Sequence, residues 1–236
     1  MVQIATGYYV PDHLLSDTEE SVVGIEWHQE AIGALADMLR GVADQRGTGW
    51  GVCEQVALVG LRHRDGSAYD PRPDVMVLSA PLLSGGLASI RLSDVGAPLF
   101  IAEVASDSTK KNDVGDKQEA YAAIGVPEYI VFDPSGDLLP TPLLAWRLEA
   151  GRYRPWRPDV ADWYHSVTLG VALRGTQPLL SMRDSDGAPI EPSGVVRRLA
   201  RRLAHDLAAA EQAHAKEAQL RADLEEQLRR LREQLG

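Results

Sequence analysis

The spacing of apolar residues along the first half of the chain predicts one helix followed by several short strands. Apolar residues recur at helical spacing between residues 19 and 42, which predicts a helix with Gly41 near its end. A glycine-rich turn follows at 47–51. Three apolar runs bounded by Gly, Pro, Asp and Ser then predict strands, at 52–60, 73–79 and 98–105.

The second half of the body continues with a helix and further strands. Residues 112–124 predict a helix that ends at Gly125, and the run 128–133, which is apolar from Tyr129 to Phe132, is typical of a central strand. Residues 143–156 predict a hairpin with its turn at 149–151, and 166–173 predict the last strand. Helices and strands in this order predict an α/β fold with a mixed central sheet flanked by helices.

The pattern changes near residue 190, where we place the boundary between a body (1–190) and a C-terminal segment (191–236). Residues 195–235 contain no Gly or Pro and predict one long helix. A four-three-four spacing at its end is typical of a coiled-coil seam (Leu224, Leu228, Leu231, Leu235). Two interpretations remain open: a coiled coil that makes a homodimer, and a solvated helix that docks on the body.

Composition narrows the class of protein. No apolar run approaches the roughly 20 residues that span a bilayer, so we expect no membrane insertion. The first 15 residues lack the pattern of a signal peptide, and the single cysteine, Cys53, excludes an internal disulfide; both fit a cytoplasmic protein. The net charge of −10 argues against a protein that coats DNA through bulk charge.

Two carboxylates stand out on the predicted strands. Asp74 begins the strand at 73–79, and Glu103 lies inside the apolar run LFIAEVA. A carboxylate within a buried strand is costly unless it is paired or binds a metal. Two of them on adjacent strands predict a site for Mg²⁺, which prefers oxygen ligands and for which Mn²⁺ substitutes. The alternative interpretation is that both carboxylates form structural salt bridges.

A cation is expected beside these carboxylates. Lys117 lies on the predicted helix after the Glu103 strand, and it shares one helix face with Asp113 and Tyr121, each four residues away. An ammonium group there would orient an attacking water or stabilise the charge on phosphorus. Lys110 and Lys111 precede this helix. Two interpretations are open for them: they contact flanking phosphates, or they are solvated loop lysines.

At this point the residues resemble a known family. PDVMVLS, followed by IAEVASDSTKKNDVGDKQEAYAAIGVPEYIVFDP, is similar to the Uma-type restriction endonucleases, bacterial members of the PD-(D/E)xK nuclease superfamily. The resemblance covers roughly residues 16–173. It implies a restriction-endonuclease-like αβββαβ core, magnesium dependence and phosphodiester hydrolysis. It also implies that Asp74 and Glu103 are metal ligands and that the Val104 carbonyl is a third.

One position departs from the superfamily pattern. The usual lysine lies two residues after the glutamate on the same strand, and Ala105 occupies that position here. The resemblance implies that the lysine lies instead on the following helix, and Lys117 occupies that position.

Accessory residues carry two interpretations each. Glu30, on the first helix, would complete a second metal shell or is a surface glutamate, and His28 nearby matches a family histidine or serves packing. Glu54 would face the cleft or pair with an arginine. Tyr121 would hydrogen-bond near the site or only pack. Asp113 is a further accessory candidate.

These inferences predict a magnesium-dependent endonuclease that hydrolyses DNA as a homodimer. The rival prediction is a catalytically inactive interaction module that works through its C-terminal coiled coil. RNA is a third candidate substrate. The sequence contains no glycine-rich phosphate loop with Lys-Ser/Thr, no G-x-S-x-G elbow and no zinc-ligand spacing, which excludes the corresponding enzyme classes.

Overall fold

The structure is a computed structural model, and it describes only part of the chain. The described residues are 2–3, 9–10, 22–63, 65–81, 87–106, 113 and 115–194, with the single positions 216, 219, 221 and 229. Lys110 and Lys111 lie outside the described residues. So does nearly all of the segment predicted as a C-terminal helix and coiled coil, and both expectations stay predictions.

The described elements are a few helices and many short strands. The helices span Val22–Arg46 (α1), Leu92–Val95 (α2) and Asp116–Ala123 (α3). The strands span Val2–Gln3 (β1), Tyr9–Val10 (β2), Gly51–Glu54 (β3), Ala57–Val59 (β4), Leu61–Arg62 (β5), Ala68–Tyr69 (β6), Val75–Leu78 (β7), Ser89–Arg91 (β8), Phe100–Val104 (β9), Glu128–Phe132 (β10), Leu143–Glu149 (β11), Arg152–Pro155 (β12), Tyr164–Ser166 (β13), Val171–Arg174 (β14), Ser181–Arg183 (β15) and Pro189–Ile190 (β16).

A mixed sheet forms the centre of the body. Its order, within the described residues, is β12-β11-β10-β9-β7-β3. Only β9 and β10 run parallel, and α3 lies between them in the chain, as parallel neighbours require a crossover. Along the chain α1, β3, β7, β9, α3 and β10 follow one another in the order αβββαβ. The predicted mixed α/β fold with a mixed central sheet is therefore confirmed.

The two faces of this sheet are covered by different elements. Residues of α1, including Ile32 and Leu35, pack with Val75 and Phe100 on one face, where β13, β14 and β15 also contribute. On the other face, Tyr121 of α3 packs with Ile101 of β9 and with residues of β10. Because side chains alternate along a strand, successive residues of β7 and β9 belong to opposite faces.

Three elements differ from the sequence prediction. The run 52–60 is not one strand, because Gln55 adopts a positive φ of 49° and separates β3 from β4. Helix α1 continues past Gly41 to Arg46 and ends at Gly47, whose φ is 61°. The run 166–173 contains a turn that ends at Gly170 and separates β13 from β14, and β15 and β16 follow, so the prediction of a last strand there was wrong.

The chain separates into two compact units, Met1–Val196 and Arg197–Gly236. Every residue of the site described below lies in the first unit. No helix among the described residues combines the length and the apolar character needed to cross a membrane.

Candidate active site

The site lies where the ladder between β7 and β9 stops. These antiparallel strands pair Val75 with Ala102, and the same register continued by one position sets Asp74 opposite Glu103. Side-chain contacts replace the ladder here: the Asp74 N–H donates to Glu103 Oε2 at 3.3 Å, and the Val104 N–H donates to Asp74 Oδ2 at 2.8 Å. Each carboxylate is thus bound to the backbone of the opposing strand.

Strand alternation directs both carboxylates to the same face of the sheet. Asp74 shares a face with Met76, and Glu103 shares one with Ile101; both apolar residues belong to the cluster on the α3 side. The N–H and C=O groups of one extended residue point to the same strand edge. The Val104 carbonyl therefore faces the β7 edge of β9, as its N–H does.

Helix α3 brings a cation into this corner. Lys117 Nζ lies 3.0 Å from Glu103 Oε2 and 2.7 Å from Asp113 Oδ1. The side chains of Glu103 and Asp113 are fully buried, whereas that of Lys117 retains 11% of its exposure. The contact with Asp113 joins two side chains that are four residues apart in the chain, and the contact with Glu103 follows from the packing of α3 on β9.

The cluster holds more negative charge than one ammonium group balances. Burial raises the pKa of Glu103 well above its usual value of 4.5, Lys117 opposes this shift, and Asp113 and Asp74 add to it. Burial alone would lower the pKa of Lys117, but Glu103 and Asp113 raise it above its usual value of 10.5. The lysine is therefore cationic at neutral pH, and an additional cation would be favourable beside these carboxylates.

Two tyrosines fix the buried end of the cluster. The Tyr121 hydroxyl donates to Glu103 Oε1 at 2.9 Å, and the Tyr129 hydroxyl donates to the Asp113 carbonyl at 2.7 Å. Their rings meet edge to face with centroids 5.3 Å apart. Burial, followed by the charge of Glu103, raises the pKa of both phenols, so both remain protonated donors.

Solvent reaches the cluster from the side of Asp74. The side chain of Asp74 is 12% exposed and that of His28, on α1, is 16% exposed, with 3.6 Å between His28 Nε2 and Asp74 Oδ2. Lys117 is also partly exposed, whereas Glu103 is not. The solvent-accessible side of the cluster is therefore formed by His28, Asp74 and Lys117.

The structure separates one predicted accessory residue, Glu54, from this cluster. Glu54 pairs with Val75 in the ladder, so it faces the α1 side of the sheet, where Arg40 NH1 lies 2.6 Å from its Oε1. Of the two interpretations of Glu54, the structure shows the one in which it pairs with an arginine. On α1, His28 is the residue placed against Asp74. Glu30, two residues further along α1, is half-buried, and its role in a second metal shell stays a prediction.

Sequence reasoning missed one residue of the site and gave another too small a role. Tyr129 was read only as part of an apolar strand; the parallel register that pairs it with Ile101 places it on the face of Glu103. Asp113 was considered an accessory residue, yet its carboxylate lies closer to Lys117 than that of Glu103 does. Knowledge of the strand register would have identified Tyr129. No pattern in the sequence indicates that Asp113 lies closer to Lys117 than Glu103 does.

The donor set is compatible with a hard divalent cation. Within the described part of the chain, no group of three or more His, Cys, Asp or Glu side chains forms a complete metal cage. Mg²⁺ does not require one, because it keeps several waters and is usually held by one or two carboxylates together with substrate phosphates. Asp74 and Glu103, on adjacent strands beside surplus negative charge, fit that requirement.

Comparison with known proteins assigns the family. The model of the Uma2 family, described as "Putative restriction endonuclease", matches residues 17–178. The chain belongs to the Uma2 family. The match spans more than half of the chain and includes every residue of the cluster, and it confirms the resemblance seen in the sequence. This Uma2-family chain is thus related to nucleases, whereas no protein with a curated description matches it.

Among solved structures, the chain is similar to the crystal structure, at 1.96 Å resolution, of a putative nuclease belonging to DUF820 from Anabaena variabilis ATCC 29413. The two chains are 11% identical, with a TM-score of 0.40, and the alignment covers 57% of this chain and 69% of that one. A likeness of this extent places no individual residue.

Proposed function

We propose that this Uma2-family protein is a metal-dependent endonuclease that hydrolyses DNA phosphodiester bonds. The observation that carries the proposal is the meeting of Asp74, Glu103 and Lys117 where the β7–β9 ladder ends. Asp74 and Glu103, with the Val104 carbonyl, would hold Mg²⁺, and Mn²⁺ would substitute. The ion supplies Lewis-acid polarisation of a phosphoryl oxygen and a lowered pKa for a bound water.

The residues around the carboxylates keep them in place for this chemistry. Tyr121 holds one oxygen of Glu103, and the Val104 N–H holds one oxygen of Asp74. Both donors are buried, so each carboxylate keeps one oxygen in a fixed position.

Lys117 acts on the substrate from α3. An ammonium group has three N–H donors, and the ion pairs with Glu103 and Asp113 engage two of them. A donor that is not engaged by the carboxylates would be available to the attacking water or to a non-bridging phosphate oxygen, where it would stabilise developing negative charge. Because the pKa of Lys117 is raised, the lysine acts as a positive charge and a donor, not as a general base.

The direct test is cleavage of supercoiled plasmid by purified protein with Mg²⁺. We expect wild-type protein to cut, and Asp74→Asn, Glu103→Gln and Lys117→Met to fall to the level seen with EDTA. Asp94→Asn and Asp116→Asn are matched controls, because both residues are exposed and lie outside the cluster. Equal cleavage by all variants would mean a contaminating nuclease or the wrong site and would overturn the proposal. RNA of the same sequence, tested in parallel, identifies the substrate class.

The proposal includes a homodimer in the cytoplasm, with two sites that cut the two strands of a duplex. Sedimentation equilibrium of the full chain and of a form truncated after residue 194 tests it. We expect the full chain to sediment as a dimer and the truncated form as a monomer. A monomeric full chain would contradict dimer formation and leave the nuclease assignment to the plasmid assay.

A further inference from the structure

The ammonium group of Lys117 contacts Glu103 Oε2, an oxygen that the proposed metal would need as a ligand. Lys117 Nζ contacts Glu103 Oε2 at 3.0 Å, and the Asp74 N–H donates to the same oxygen at 3.3 Å. The other oxygen, Oε1, accepts from the Tyr121 hydroxyl at 2.9 Å. Both oxygens of Glu103 are therefore engaged in the structure, and a divalent cation can use Oε2 only if Lys117 moves away from it.

The same lysine has a second carboxylate within reach. Asp113 Oδ1 lies 2.7 Å from Lys117 Nζ, closer than Glu103 does, and the Asp113 side chain is fully buried. The backbone of Asp113 is anchored by the Tyr129 hydroxyl, which donates to its carbonyl. Asp113 and Lys117 are only four residues apart in the chain, so we expect this pair to persist when Glu103 exchanges its partner.

We propose that Asp113 is a positioning residue that takes over the whole charge of Lys117 when Glu103 turns to a divalent cation. This inference rests on the proposed function, since it assumes that Asp74 and Glu103 bind the metal. In the metal-free protein Glu103 and Asp113 share Lys117, which balances only one of their two negative charges. In the metal-bound protein the Lys117–Asp113 pair is neutral by itself, and the cation neutralises Asp74 and Glu103.

The charges of the cluster explain why such a residue is needed. A divalent cation next to an ammonium group that has no counter-charge would be repelled by it in a poorly hydrated corner of the protein. An ammonium group paired with Asp113 presents a dipole instead of a net charge. Asp113 thereby lowers the electrostatic cost of keeping Lys117 beside the metal, where the proposed chemistry requires it.

The test measures Mn²⁺ affinity by calorimetry, without nucleic acid, so that it does not depend on activity. We expect Asp113→Asn to weaken Mn²⁺ binding by about tenfold or more, because a hydrogen bond to a charged group contributes at least that much. Asp116→Asn, an exposed aspartate at the start of the same helix, is the matched control and should bind Mn²⁺ as wild type does. Equal affinities for the two variants would overturn the inference.

A double-mutant cycle separates a role through Lys117 from a direct effect of charge on the metal. In the Lys117→Met background the lysine needs no counter-charge, so we expect Asp113→Asn to change the Mn²⁺ affinity by no more than about twofold. An equal loss in both backgrounds would show that Asp113 acts on the metal directly and would refute the inference. If Lys117→Met does not fold, Lys117→Gln, which also removes the charge, replaces it in the cycle.

Two outcomes distinguish a failure of this inference from a failure of the proposed function on which it rests. Wild-type protein that binds no Mn²⁺, or binds it equally well after Asp74→Asn, contradicts the metal site itself. Wild-type protein that binds Mn²⁺ through Asp74, with no difference between Asp113→Asn and Asp116→Asn, contradicts only the role of Asp113.

Discussion

Lys117 and Glu103 form a buried ion pair, and we expect removal of Lys117, but not removal of the Glu103 charge, to destabilise the protein. Lys117→Met leaves Glu103 and Asp113 as two fully buried carboxylates without their shared cation. Breaking a buried pair in this way typically costs about 3–5 kcal/mol, because an uncompensated charge remains in a poor solvent. Such a loss is a large fraction of the roughly 5–15 kcal/mol that stabilises an ordinary domain.

Glu103→Gln removes the opposite charge and leaves a balanced pair. Lys117 keeps Asp113 at 2.7 Å, and the amide oxygen of the new side chain can still accept a hydrogen bond from the Asp74 N–H. The substitution also removes a carboxylate whose charged form is disfavoured by burial, as its raised pKa shows. We therefore expect the free energy of unfolding to stay within about 1 kcal/mol of wild type or to increase.

The pH dependence gives this prediction a second signature. A carboxyl group whose pKa is raised in the folded state binds more protons when folded than when unfolded, so its presence lowers stability as pH rises above the usual value of 4.5. In Lys117→Met both buried carboxyls lack their cation, and this effect grows. The destabilisation of Lys117→Met should accordingly be larger at pH 8 than at pH 5.

Urea denaturation in EDTA at these two pH values measures the effect. Lys216→Met and Glu191→Gln are control substitutions of the same types at exposed positions. The reasoning would be refuted if Lys117→Met were as stable as Lys216→Met at pH 8, or if Glu103→Gln lost 3 kcal/mol or more.

Three further predictions concern residues outside the cluster. Glu54→Gln should leave Mn²⁺ affinity unchanged and cost at most about 1 kcal/mol, because its partly exposed partner is Arg40; weaker Mn²⁺ binding would show that Glu54 reaches the site. The Cys53 thiol should react with Ellman's reagent at pH 8 far more slowly in native than in urea-unfolded protein, because burial raises its pKa to about 11; equal rates would contradict this. Ala150→Asn should raise stability by roughly 0.5 kcal/mol in urea denaturation, because residue 150 has a φ of 50° beside Gly151 in the β11–β12 turn and Asn tolerates that conformation; a loss of stability would contradict it.

The strands nearest the site were predictable because they are buried on both faces. Runs at 73–79, 98–105 and 128–133 are almost continuously apolar, and they correspond to β7, β9 and β10. The run at 52–60 looked similar, but its break depends on the backbone conformation of Gln55, a residue type that gives no warning of a positive φ.

The members of the site were predictable as single residues, and their contacts were not. Spacing on one helix face puts Asp113 next to Lys117 without any knowledge of the fold. The contacts from Tyr121 to Glu103 and from His28 to Asp74 depend on how α3 and α1 pack against the sheet. Contacts between distant parts of the chain produce no periodic pattern in the sequence. Only the structure could therefore show which accessory residues contact the carboxylates.

The sequence left open whether these carboxylates serve a metal or a salt bridge, and the charge balance favours the metal. A purely structural bridge is most stable when one carboxylate meets one cation. Here Glu103 and Asp113 share Lys117, and Asp74 adds a third carboxylate close enough to raise the pKa of Glu103. Such surplus lowers stability in the metal-free protein, which is the usual compromise where a fold keeps a group for function. Divalent-cation binding would remove this cost, so Mn²⁺ should raise the melting temperature of wild type and have little effect on Glu103→Gln.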